Sequence, residues 1–117
     1  MLITNPPIHP GEILRTEFME PLGLSAGKVA KALGIPRTRI ERLTHEATGL
    51  TADTAARLGR YFGTGADFWL TLRGSYELSL ARADTGLQRA LEAITAHPRP
   101  DLDAMPDEGL EGVGEAA

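Results

Sequence analysis

Apolar residues recur along this chain at spacings of three and four rather than two, so the pattern predicts helices and no sheet. Residues 1–9, with Pro6 and Pro7, read as an extended lead-in. The run GEILRTEFMEPLGL then sets Ile13, Leu14, Phe18 and Met19 on one face. Glu12 stands in the first turn, where the helix dipole favours an acid, and Pro21 is the expected end. The stretch from Ser25 to His45, SAGKVAKALGIPRTRIERLTH, divides into two short helices. Ser25 suits an N-cap, Val29, Ala30 and Leu33 form an apolar stripe, and Gly34 supplies the left-handed residue at which that helix stops. Pro36 fits the first turn of the next helix, where its missing N–H costs nothing. Ile40 and Leu43 give that helix an inward side, and Arg37, Thr38, Arg39 and Arg42 its outer one.

After the loop THEATG, Thr51 caps a fourth helix with Ala55, Leu58 and Phe62 inward and Gly63 as its close. Thr64, with Asp67 three residues on, reads as the capping box of a fifth helix carrying Phe68, Trp69, Leu72, Tyr76 and Leu80. Gly74 weakens its middle by about 1 kcal/mol relative to alanine, which allows a kink or an early end. From Asp84 the residues Leu87, Ala90, Leu91 and Ile94 continue the periodicity to Pro98, as a sixth helix or a frayed extension of the fifth. The expected fold is therefore all-α: a five-helix domain over residues 1–97 with that additional segment. Residues 98–117, rich in proline, glycine and acids, carry too little apolar surface to offset ordering entropy, and disorder is expected there.

Composition narrows the class. A chain of 117 residues holds one domain, and aromatics at 5% with a hydrophobic share of 42%, mostly Leu, Ala and Ile, favour packed helices. The absence of cysteine excludes a disulfide framework and any thiolate metal site, and it suits a reducing compartment. The N-terminus lacks a basic region followed by an apolar run, and no apolar run is long enough to span a membrane, so the expected location is cytoplasmic. The net charge of −4 argues against a nucleic-acid partner only until it is divided along the chain. Residues 98–117 hold one arginine against six acids, a net of −5, which leaves the rest at +1. Between residues 28 and 60 seven bases face three acids, so the basic surplus lies over the two short helices.

Two helices meeting steeply at a glycine, with a small residue at Ala30 and an arginine-bearing outer face on the second, form the helix-turn-helix pattern. A helical hairpin in an unrelated bundle is the competing interpretation. In the DNA-binding interpretation Arg37 and Thr38 enter the major groove, with Arg42 one turn deeper. Arginine bonds a guanine edge bidentately, and threonine meets a thymine methyl or a phosphate. Arg39 and Lys28 are placed for phosphates, and Ser25 and His45, at the two ends of the motif, complete the candidate DNA-binding set. Rival motifs fail on context. Gly23, Ser25 and Gly27 match G-x-S-x-G, but a nucleophile elbow needs a strand before the serine. His45 and Glu46 open H-E-x-x-H, but Gly49 stands where the second histidine belongs. Asp101 and Asp103 do not continue into a calcium loop, since Met105 and Pro106 follow. The expectation is a non-enzyme without metal or cofactor. The stripe of Phe68, Trp69, Leu72 and Tyr76 exceeds what so small a domain easily buries, which predicts a homodimer through that face.

The segments HPGEILRTEF, PLGLS, AKALGI and RLTHEATGLTADTAARLGRYFGTGADFWLTLRGSYEL together resemble the HigA/VapI type of antitoxin, within the Xre/Cro, lambda-repressor-like class of helix-turn-helix proteins. The resemblance runs from about His9 to Arg82, and the segment from Gly63 to Leu72 makes it specific. It implies a dimeric protein that neutralises a small ribonuclease toxin, HigB or RelE-like, and represses its own operon by binding operator DNA. Carried onto this sequence, the recognition positions are Arg37, Thr38, Arg39 and Arg42. One departure is Ala26, where the wider class often has a phosphate-binding glutamine. Two further functions fit the same helices: a stand-alone transcriptional regulator without a toxin, and an interaction module that has lost DNA binding.

Overall fold

In a computed structural model that describes residues 6–99, the first apolar face folds as a helix with an unexpected middle. Helix α1 spans residues 10–22 as one α-turn over Pro10–Ile13, a π-helical segment over Leu14–Met19, and a last α-turn over Glu20–Leu22. Pro21 therefore does not end the helix; Gly23 does, at φ 64°. A proline inside an α-helix lacks its N–H and drives its ring against the carbonyl four residues back. Directly before Pro21 the helix is widened, and the Glu20 N–H bonds the Arg15 carbonyl five residues back, the spacing of a π turn. The wider turn lets the chain pass the proline without a break.

At the other end, the imidazole Nδ1 of His9 accepts from the Gly11 N–H at 2.9 Å, and Pro10 occupies the first helical position. The ring is 4% exposed and meets Tyr76 edge-on at 4.9 Å. His9→Ala is expected to lower stability by about 1–2 kcal/mol in urea titrations, through loss of the cap and its ring contact. His9→Asn, which keeps an acceptor, recovers part of that.

Helices α2 (Ala26–Leu33), α3 (Arg37–Thr44) and α4 (Ala52–Phe62) follow as their patterns predict, capped at their starts by Ser25, Pro36 and Thr51. Pro36 stands one residue earlier than expected, as the N-cap whose carbonyl accepts from Arg39. Helix α5 (Ala66–Ala83) runs unbroken through Gly74 for 18 residues. Its packing along α4 and α1 outweighs the local cost of one glycine. It starts at Gly65, φ 82°, and not at Thr64, whose hydroxyl instead donates to the Gly65 carbonyl. A separate sixth helix, α6 (Thr85–Glu92), begins where the Asp84 carboxylate accepts from the Leu87 N–H at 3.0 Å.

The core joins Leu14 and Met19 of α1, Val29, Ala30 and Leu33 of α2, Ile40 and Leu43 of α3, Leu50, Ala55 and Leu58, and Trp69 of α5. Trp69 is fully buried, and Phe18, Phe62 and Phe68 surround it at centroid distances of 5.1, 6.4 and 5.2 Å. The expectation that Trp69 lies on a subunit surface is corrected by this cluster: α1 and α4 both bring an aromatic ring to it. The tail expected to be disordered, residues 98–117, lies outside the described residues apart from Pro98 and Arg99.

Candidate nucleic-acid interface

The interface starts from the turn between α2 and α3. Val29, Ala30 and Leu33 anchor α2 to the core, and Gly34 at φ 71° reverses the chain. The Ile35 N–H bonds the Ala30 carbonyl at 3.1 Å and the Gly34 N–H the Lys31 carbonyl at 3.2 Å, which closes the end of α2. Helix α3 then buries Ile40, Leu43 and Thr44. At about 100° per residue, the direction opposite those three is taken by Thr38, Arg42 and His45. All three are exposed, and their side chains make no hydrogen bond or ion pair with any group of the described residues.

The other two arginines lie on the flanks of that face and are already engaged. Arg37 pairs with Glu41 at 3.1 Å, one turn along the same helix. Arg39 pairs with Asp53 of α4 at 3.1 Å, and the same carboxylate oxygen takes Arg57 at 3.0 Å. Arg57 also donates from Nη1 to the Leu33 carbonyl at 2.7 Å. Asp53 and Arg57 thus tie α2, α3 and α4 together around the turn. Exposed pairs of this kind are individually worth about 0–1 kcal/mol. Their effect here is on orientation, because they fix the sides of α3 while leaving its centre open. Neither Asp53 nor Arg57 is marked by sequence alone as part of the motif, since the partners are 14 and 24 residues apart.

Two more contacts set the far end of α3. Its C-cap is His45, and Glu46 beyond it takes the left-handed conformation at φ 60°, with the Ala47 N–H on the Arg42 carbonyl at 2.8 Å. Arg15 of α1 donates to the Thr44 carbonyl and lies 3.9 Å from the Glu46 carboxylate. On α2, the Ser25 hydroxyl accepts from the Lys28 N–H at 3.1 Å, so Ser25 serves as a cap, and the Lys28 ammonium is exposed beside it. Of the residues expected at the DNA, Thr38, Arg42 and His45 share the outer side of α3, Arg37 lies on its flank, Lys28 and Ser25 lie at the start of α2, and Arg39 faces α4.

Of the residues expected at a dimer surface, Phe68 is exposed, Leu72 and Tyr76 are half-buried, and Trp69 is interior. The exposed large aliphatics of this half are Leu78 and Leu80 of α5 and Leu87, Leu91 and Ile94 of the α6 segment. Among the described residues no cluster of three or more His, Asp or Glu side chains is placed to hold a metal, and no helix is long and apolar enough to cross a membrane.

No family model matches the chain. Individual proteins do. Virulence-associated protein I of Dichelobacter nodosus is 52% identical over 79 residues, 68% of this chain and 73% of that protein. Antitoxin HigA-1 of Vibrio cholerae is 33% identical over 72 residues, 62% of this chain and 68% of its own length. The chain belongs to the HigA/VapI family of helix-turn-helix proteins. Among solved structures, the antitoxin HigA of Pseudomonas aeruginosa with the higBA promoter superposes with a TM-score of 0.72 at 40% identity, covering 79% of this chain and 99% of that one. The all-α architecture expected from the helical periodicity, and the HigA-type fold implied by the resemblance, are therefore the ones observed. The HigA-type relatives are antitoxins and transcriptional regulators, and this chain is a regulator of that class and not an enzyme.

Proposed function

We propose that this chain is the antitoxin of a type II toxin–antitoxin pair, which binds operator DNA as a homodimer, represses its own operon and neutralises a RelE-like ribonuclease toxin. The observation that carries the DNA part is the open centre of α3. Thr38, Arg42 and His45 have no partner within the chain's described residues, while their flanking arginines are held by Glu41 and Asp53. A helix seated by its buried face and fixed at its flanks offers the opposite face to the major groove, with Arg42 for a guanine edge and Thr38 for a methyl or phosphate. Arg37, Arg39, Lys28, Ser25 and His45 supply the surrounding phosphate and edge contacts in this reading. The solved HigA relative with promoter DNA supports it, and the names of the curated relatives support the antitoxin role.

Residues 1–97 act as the DNA-binding and dimerisation domain and residues 98–117 as an appended acidic tail. The dimer contact runs along α5 through Phe68, Leu72 and Tyr76, continued by the exposed Leu78 and Leu80. Two copies related by a two-fold axis would present two α3 helices to half-sites about one DNA turn apart.

Fluorescence anisotropy with a duplex from the chain's own promoter tests the reading. Binding should weaken steeply with salt, with a log–log slope of about −0.9 per phosphate neutralised. Arg42→Ala should cost about 1–3 kcal/mol of operator affinity and relax sequence preference. Operator affinity and discrimination against a scrambled duplex both unchanged from the parent chain in Arg42→Ala would remove Arg42 from the base-reading role. Co-expression with the neighbouring reading frame, followed by co-purification and growth rescue, tests the toxin.

A further inference from the structure

We propose that the groove between α2 and α4 is the docking site of this chain's own acidic segment, residues Asp107 to Glu115. The groove is an open depression of about 510 Å³, lined by Ala32, Leu33, Ala56, Arg57, Arg60 and Tyr61. Its cationic rim is incompletely neutralised. Arg57 is engaged by Asp53 and the Leu33 carbonyl, but Arg60 has no ionic partner among the described residues; Lys31, outside the lining but next to Ala32 in the last turn of α2, is exposed and has none either. An apolar lining with a basic rim selects a peptide that mixes acids with small aliphatics.

The segment DEGLEGVGE has that chemistry. Asp107, Glu108, Glu111 and Glu115 flank Leu110 and Val113 with no basic residue between them, and its glycines allow the backbone to lie close in a shallow groove. Asp107 and Glu115 lie 8 and 16 residues beyond Arg99. At about 3.3 Å per extended residue the chain spans at most about 26 Å to the start of the segment and about 53 Å to its end, against molecular dimensions of 52 × 34 × 22 Å. Ion pairs on an exposed rim are individually weak. Tethering changes the outcome, because a segment on the same chain is present at an effective concentration in the millimolar range, so even a weak contact is populated. Such a contact is screened by salt.

Because the chain has no cysteine, Ala116→Cys in the full-length protein carries a single nitroxide label. At about 0.02 M salt, the amide signals of Ala32, Ala56, Arg60 and Tyr61 should lose about half their intensity or more relative to the reduced label, and regain it at about 0.5 M. Reversing the rim with Lys31→Glu and Arg60→Glu should abolish the broadening, with unchanged amide shifts in α1 and α5 reporting an intact fold. Absence of groove broadening at low salt, or broadening that survives the reversal, overturns the proposal. Mixing nitroxide-labelled chains with isotope-labelled chains that lack the nitroxide separates the remaining case. Broadening of equal size in the mixture means the occupant is the tail of a second copy, and docking within one chain is then wrong.

Discussion

Trp69→Ala is expected to cost about 3–5 kcal/mol, the range for removing a large buried aromatic. A domain of this size has about 5–10 kcal/mol in all, so the variant should unfold at much lower urea and near physiological temperature. The indole is the largest fully buried side chain, and its neighbours come from three helices: Phe18 of α1, Phe62 of α4 and Phe68 beside it on α5. Those helices are held apart by their own contacts, so the space cannot collapse cheaply. Trp69→Phe should be much milder for a second reason. The indole Nε1 is buried without a hydrogen-bond partner among the described residues, and replacing it removes a donor whose unsatisfied burial costs about 1–3 kcal/mol. Chemical denaturation of the two variants checks both. If Trp69→Phe were as damaging as Trp69→Ala, the specific fit of the indole among Phe18, Phe62 and Phe68, and not the volume removed, would be the controlling term.

The aromatic cluster also marks where sequence reading stops. Spacing identifies Phe68, Trp69 and Tyr76 as one stripe, but which of them is interior depends on Phe18 and Phe62, about fifty and seven residues before Trp69 in the chain. By contrast, the turn at Gly34 is legible because every determinant is local: a cap at Ser25, a stripe at Val29, Ala30 and Leu33, and a residue free to adopt φ 71°. Where a local rule failed, a non-local or unusual contact overrode it. Pro21 is passed because the helix before it widens, and Gly74 is carried by the packing of α5. The end of α3 uses Glu46 in place of a glycine, beside Arg15 of α1. The same limit applies at the interface. Four arginine and threonine positions on the outer side of α3 are visible from periodicity, but their different states are not. Arg39 is drawn to Asp53, which lies on α4, whereas Arg42 has no ionic partner among the described residues. Ion pairing across helices separates a scaffold arginine from an open one, and no spacing rule encodes it.

Gly11→Ala is expected to damage stability and DNA binding together. A methyl group at Gly11 would come within 1.8 Å of the Leu43 carbonyl oxygen and 2.7 Å of its carbon. Both are backbone atoms of α3, so no side-chain rotation relieves the clash, and α1 and α3 must separate. Overpacking by one methyl commonly costs about 1–3 kcal/mol, occasionally more. Here the upper end, about 3 kcal/mol, is expected, because the shift also disturbs the His9 cap on the Gly11 N–H and the Arg15 bond to the Thr44 carbonyl. The Arg15 bond fixes the C-terminal end of α3, two residues from Arg42. The loss of operator affinity in Gly11→Ala should therefore exceed the fraction of unfolded protein, measured by running anisotropy and circular dichroism on the same sample well below the thermal midpoint. A control separates misplacement from general weakening. His9→Ala destabilises the start of α1 without pushing on α3, so at equal folded fraction it should bind DNA better than Gly11→Ala. Identical affinities in the two variants would mean that α1 supports the recognition helix only through global stability and not by holding it in place.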